Sequence, residues 1–177
     1  VIVCLVILAV LCITAVVAIP IGFTTEWDPV ATIAASVICL LVVGIATLFK
    51  LNQLRGGGST VAEMMGGTLL QLGGSTQTEK RIQNIVEEMA IASGMPVPPV
   101  YILEDATINA FAAGWAPSDA VIGVTRGCIE KLNRDELQGV IAHEFSHISH
   151  GDMRINIRLI GIIFGIMVLG ITGWILV

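Results

Sequence analysis

Three stretches of this chain contain no charged side chain: Val1–Ile21, Val30–Phe49 and Leu159–Val177. Each holds about 20 residues, the length a helix needs to cross a hydrocarbon core of roughly 30 Å. The whole chain of 177 residues is 55% hydrophobic and only 13% charged, with a mean hydropathy of +0.88, too apolar for an ordinary soluble domain. We therefore expect transmembrane helices over 1–21, 30–49 and 159–177, with a lipid bilayer as partner. A secretory signal peptide is a poorer reading of the first run, which lacks a basic leading segment and exceeds the usual apolar length. The chain starts without Met and its last apolar run reaches the final residue, so we expect it to be part of a longer protein.

Basic residues flank the runs on one side only. Lys50 and Arg55 follow the second run, Arg154 and Arg158 precede the third, and the short connection 22–29 carries only Glu26 and Asp28. The positive-inside tendency then makes 22–29 an external loop and 50–158 a cytoplasmic domain. Cys4, Cys12 and Cys39 lie in apolar runs and Cys128 stands alone, so no disulfide framework is expected. A net charge of −5, with no basic patch interleaved by aromatics, argues against nucleic acid as a partner.

Between the runs lie roughly 100 residues, enough for one compact domain. Residues 56–75, with glycine clusters at 56–58, 66–67 and 73–74, read as a Gly-rich flexible linker. Thr76-Gln77-Thr78-Glu79 has capping-box spacing, and Ile82, Ile85, Val86, Met89 and Ala90 recur at helical intervals up to Gly94. Pro96, Pro98 and Pro99 end that pattern. Val100–Leu103, Ala110–Ala113 and Ala120–Val124 then read as short strands between turn-rich segments. A last helix is expected from Asn133, with acidic residues in its first turn, to Gly151; Leu137, Val140, Ile141, Phe145 and Ile148 give it a broad apolar face. The fold class expected is α+β, helices with a small sheet, inserted between transmembrane helices.

All three histidines lie on or beside that last helix. His143-Glu144-Phe145-Ser146-His147 is H-E-x-x-H, and the i, i+4 spacing puts two imidazoles one turn apart on one face, where one metal ion can hold both. Glu144 lies about 100° around the helix from His143, placed to act on a water without entering the ligand set. Zinc lowers the pKa of its water toward 7, and the Glu144 carboxylate takes the proton as hydroxide attacks a scissile carbonyl. A chance occurrence of paired histidines and a glutamate on a core helix is the weaker reading, because an apolar interior is a costly place for them.

Catalytic zinc usually takes three protein ligands, and the sequence does not supply the third. The metzincin pattern requires a His six residues after the second, where Met153 stands, so that class is excluded. His150 and Asp152 are candidate ligands. The preferred reading has His150 meeting solvent at the helix end, and Asp152 anchoring the turn or orienting a ligand histidine.

Several local stretches resemble the HtpX-type membrane zinc metallopeptidases, relatives of the CAAX-prenyl endopeptidases and Oma-type proteases. They are Val86-Glu87-Glu88-Met89-Ala90, Asn109-Ala110-Phe111-Ala112-Ala113-Gly114, Val124-Thr125-Arg126-Gly127, Leu132 to Leu137, and His143 through Met153, in that order. The resemblance covers about 80–155 and implies a zincin-like catalytic domain with one Zn2+ on His143 and His147. It implies a third ligand from a Glu on a later helix, expected beyond Val177. It also implies that Asn109, Ala110, Phe111 and Ala112 bind extended peptide by strand addition; the alternative is that Phe111 belongs to the core. The function implied is an endopeptidase of the bacterial cytoplasmic (inner) membrane that cleaves membrane or misfolded proteins. A non-catalytic membrane scaffold or chaperone retaining the zinc helix is the competing expectation, and stoichiometric zinc without turnover would favour it. A channel is disfavoured, since the spans hold no charge to mark an ion path.

Overall fold

The computed structural model of the protein describes residues 29–71 and 76–176. The run expected to span at 1–21 and nearly all of the loop 22–29 lie outside the described residues. The chain divides into two units, Gln53–Arg158 and the apolar segments on either side of it.

Within the central unit, four short strands form one sheet. Strand β1 is Thr68–Leu69, β2 is Val100–Leu103, β3 is Ala110–Ala113 and β4 is Val121–Thr125. Their order is β1-β2-β4-β3, with β2 and β4 parallel and the two outer strands antiparallel to their neighbours. Three of the four fall on apolar runs read from the sequence, β4 shifted by one residue, and β2 and β4 are the ones rich in β-branched residues.

One face of the sheet packs on a helical layer. The first of these helices, Gln77–Ser93, opens on a complete capping box: Thr76 accepts from the Glu79 amide, and the Glu79 carboxylate accepts from the Thr76 amide. The last, Arg134–His150, opens on the same device built from Asn133 and Glu136 and closes on Gly151, whose φ of +70° is the left-handed conformation glycine adopts without a Cβ penalty. Between them lies a short helix, Arg126–Lys131. Ile82, Ile85, Val86, Ile102, Ile122, Val124, Leu137 and Ile141 are buried together in this layer. Each such side chain contributes about 1.5–3 kcal/mol relative to exposure.

The opposite face carries a second, smaller cluster of Leu54, Val61, Ala62, Tyr101, Ala113, Val121 and Ile157. Two of its members, Val61 and Ala62, come from the segment expected to be a flexible linker, and here the structure corrects the sequence reading. Residues 54–56 make a 3-10 turn, Gly58–Met64 a helix, and Thr68–Leu69 the sheet's outer strand β1, paired with β2. Gly56, Gly57, Gly58 and Gly67 serve close approach rather than mobility. A Cβ at Gly58 would lie 2.2 Å from the Ala113 carbonyl oxygen, and one at Gly57 2.4 Å from an Asp119 carboxylate oxygen. Of the predicted linker, 72–75 lie outside the described residues.

Taking the helices in chain order, α1 is Pro29–Gln53, α2 Gly58–Met64, α3 Gln77–Ser93, α4 Arg126–Lys131, α5 Arg134–His150 and α6 Met153–Leu176. Helices α1 and α6 are long and apolar enough to cross a membrane. Helix α6 begins six residues before the uncharged run, because Arg154 and Arg158 are good helix formers and lie exposed. In the second unit, Gly161 and Gly165 of α6 meet α1 closely: a Cβ at Gly161 would fall 2.6 Å from Leu51, and one at Gly165 2.3 Å from Thr47. Small residues four apart permit this approach between apolar helices. The Lys50 ammonium stands 5.2 Å from the centre of the Phe164 ring. Ile33, Leu41, Leu48, Ile163 and Trp174 remain exposed.

Candidate metal centre

Helix α5 carries the site, and its amphipathic pattern decides which way each group faces. Leu137, Ile141, Phe145 and Ile148 are held in the core at 0–3% exposure. That anchoring turns His143 outward and His147 to a half-buried position one turn on. Their Nε2 atoms are 3.2 Å apart, with the rings close to perpendicular and their centroids separated by 4.7 Å.

Asp152 reaches His147 from behind. Its Oδ2 lies 3.0 Å from Nδ1 of that ring. Hydrogen bonding to His147 holds the Asp152 carboxyl below its ordinary value, so the residue is a carboxylate at neutral pH. A carboxylate accepts only, which puts the proton of a neutral His147 on Nδ1 and leaves the Nε2 lone pair facing His143. Of the two roles the sequence left open for Asp152, the structure shows contact with the histidine. Its Oδ1 is shielded from solvent and has no hydrogen-bond partner among the described residues.

Glu144 is 7% exposed, between the two histidines in sequence but rolled toward the core. No hydrogen bond joins its carboxylate to another of the described residues. Its oxygens are not among the fully buried, unpartnered polar atoms of the described residues, so they keep a solvent-facing edge from which to meet a water.

His150 is not brought to the pair. It is exposed, with Nδ1 2.7 Å from the Ser146 carbonyl oxygen and 3.2 Å from Ser149 Oγ. Among the described residues, no group of three or more His, Cys, Asp or Glu converges on one point.

The two histidines fit zinc. Tetrahedral coordination with Zn–N near 2.0–2.1 Å separates two ligand nitrogens by about 3.3 Å, close to the spacing observed here. At that distance one ring N–H can donate to the other, and with both lone pairs bare the same spacing suits a shared cation. Cys128 takes no part: it is fully buried in α4, and burial pushes its thiol up.

Strand β3 packs against α5 and is an outer strand of the sheet. The Thr125 amide donates to the Asn109 carbonyl at 3.0 Å, so residues 109, 111 and 113 direct their backbone groups to β4. The groups of Ala110 and Ala112 point to the open side. The side chains divide the other way: Ala110 and Ala112 join the cluster shared with α5, while Phe111 lies on Gly123 with the opposite cluster, half-buried. Phe111 is thus on the sheet face away from His143 and His147. Asn109 is exposed at the strand's start, its amide donating to Thr125 Oγ1.

One connection the sequence did not reveal is Trp115. Its indole N–H donates to the Leu54 carbonyl at 2.8 Å, and its own carbonyl accepts from Arg154 Nε at 2.8 Å. The only local hint was Asp119, four residues on, whose carboxylate accepts from the amides of Trp115 and Ala116.

The family model described as Peptidase family M48 matches residues 76–176. Curated relatives called Protease HtpX homolog each match about half of the chain or somewhat less. One from Pediococcus pentosaceus is 52% identical over 75 residues, 42% of this chain and 25% of that protein. One from Listeria monocytogenes is 50% identical over 84 residues, covering 48% and 28%. A third, from Thermoanaerobacter pseudethanolicus, is 47% identical over 88 residues, covering 50% and 29%. In each case the matched segment spans less than a third of the relative's length.

Proposed function

Because the chain belongs to peptidase family M48, we propose that it supplies the metal-binding helix and catalytic base of a zinc endopeptidase embedded in the cytoplasmic membrane of a bacterium. The observation that carries this reading is the pair of Nε2 atoms 3.2 Å apart on His143 and His147, backed by Asp152 and adjoined by the buried Glu144.

His143 and His147 would hold the metal, with a Glu beyond residue 177 as the third ligand. A zinc ion there supplies Lewis acidity and makes a water acidic enough to ionise near neutral pH. Glu144 accepts the proton of the attacking water and returns it to the leaving amine. Asp152 fixes the His147 tautomer. The open side of β3 offers Ala110 and Ala112 as two pairs of backbone donors and acceptors, which an extended protein or peptide substrate can match as an added strand. Helices α1 and α6 anchor the domain in the bilayer, on the cytoplasmic side if the basic flanks orient it. Substrates are then membrane or misfolded proteins.

The test is zinc content and peptide hydrolysis in the parent protein and its Glu144→Gln variant. Retained zinc with hydrolysis reduced by about a hundredfold or more is expected. Full activity in the variant would overturn the assignment of the base.

A further inference from the structure

The cations of this chain are unevenly placed. Four of the nine Lys and Arg residues, Lys50, Arg55, Arg154 and Arg158, adjoin the long apolar helices in sequence, while twelve of the fourteen carboxylates fall within 59–152. Most cations inside that acidic stretch are engaged. Arg126 pairs with Glu79 and Glu104, and Arg134 with Glu88; Arg81 and Lys131 donate to the carbonyls of Ile129 and Ala106. Arg55 and Arg158 contrast with them. Both are exposed, and among the described residues neither has a hydrogen-bond or ion-pair partner.

The fold gathers these cations. Leu54 and Ile157, the residues just before Arg55 and Arg158, are fully buried members of one cluster, and Trp115 packs against it. Trp115 ties the two chain segments together, through its indole to the Leu54 carbonyl and through its own carbonyl to Arg154. Arg154 thus touches this tryptophan, Arg158 stands one helical turn beyond it, and Arg55 follows the residue whose carbonyl the indole holds, at the two points where the chain leaves the folded unit for an apolar helix. Guanidinium groups match phosphate oxygens in a bidentate fork, and tryptophan is favoured at the headgroup level of a bilayer.

We propose that Arg55, Arg154 and Arg158 form a docking site for the phosphodiester headgroup of an anionic phospholipid. The site rests on the reading of α1 and α6 as membrane spans. Its chemistry is that of any phosphate ester, but its position beside those spans commits it to lipid rather than to free phosphate.

The test uses the parent protein in nanodiscs of phosphatidylcholine mixed equally with phosphatidylglycerol, with native mass spectrometry identifying lipids that stay bound after release into detergent. Preferential retention of phosphatidylglycerol is expected, reduced about tenfold in Arg55→Gln/Arg158→Gln. Arg55→Lys/Arg158→Lys should keep much of it, and Lys80→Gln/Lys131→Gln all of it. Unchanged retention in the glutamine variant overturns the site, as does equal loss in the Lys80/Lys131 control. Displacement of the lipid by inorganic phosphate at matching concentration also overturns it. Failure of the protein to enter nanodiscs overturns the spanning reading and this site together, whereas entry without lipid preference overturns the site alone.

Discussion

The Asp152 carboxylate lies 3.0 Å from Nδ1 of His147, on the side of the ring away from the His143 nitrogen. Removing a carboxylate behind a ligating imidazole typically costs 10–100-fold in metal affinity. Asp152→Asn should therefore weaken zinc binding by about that factor while leaving the fold intact, measured by chelator competition and circular dichroism. An unchanged affinity would show that the contact does not tune the ligand.

The free groups of β3 belong to Ala110 and Ala112, and proline is tolerated in an outer strand where the lost N–H faces solvent. Ala110→Pro should raise KM for extended peptides severalfold with little change in melting temperature. Phe111→Pro, which removes an N–H directed at β4, should lower the melting temperature itself. Equal effects of the two variants would contradict strand addition.

Two glycines should respond oppositely to alanine. At Gly58 the added Cβ meets the Ala113 carbonyl at 2.2 Å, so Gly58→Ala should destabilise the domain by about 1–3 kcal/mol. Gly139, exposed in α5 with nothing within 4 Å of its virtual Cβ, should gain up to about 1 kcal/mol as alanine. Thermal unfolding of both variants in detergent checks the sign of each.

Hydrogen bonding from Arg126 holds the Glu104 carboxyl below its ordinary value. A carboxyl whose folded pKa is depressed stabilises the fold above its unfolded pKa, and that contribution fades as pH falls through the folded value. The melting difference between wild type and Glu104→Gln should thus be small but measurable at pH 7 and vanish in acid. A difference that grows on acidification would reverse the sign assigned to this pair.

Local chemistry made much of this legible in the sequence. Thr76 with Glu79 and Asn133 with Glu136 marked two helix starts, Gly151 marked an end, and the i, i+4 histidines implied a shared face, because each signal is complete within one turn. Residues 56–71 were misread since glycine encodes two opposite things, freedom where nothing is near and close contact where something is. Only the distant Ala113 and Asp119 decide between them. The alternation of β3 was readable, but which face would meet α5 was not, so Phe111 stayed open between strand addition and the core; it lies half-buried on Gly123. Trp115 binds partners 61 and 39 residues away in sequence, beyond any local pattern.

Between His147 and the helix that follows, the chain has no slack. Gly151 ends α5, Asp152 touches His147, and Met153 already begins α6. One extra residue there would turn the carboxylate away by about 100°, the angular step of a helix. Length should therefore be fixed from His147 to Met153 across related chains, with insertions confined to surface connections such as 94–99. Over this short segment, residue spacing should be constrained as strictly as residue identity.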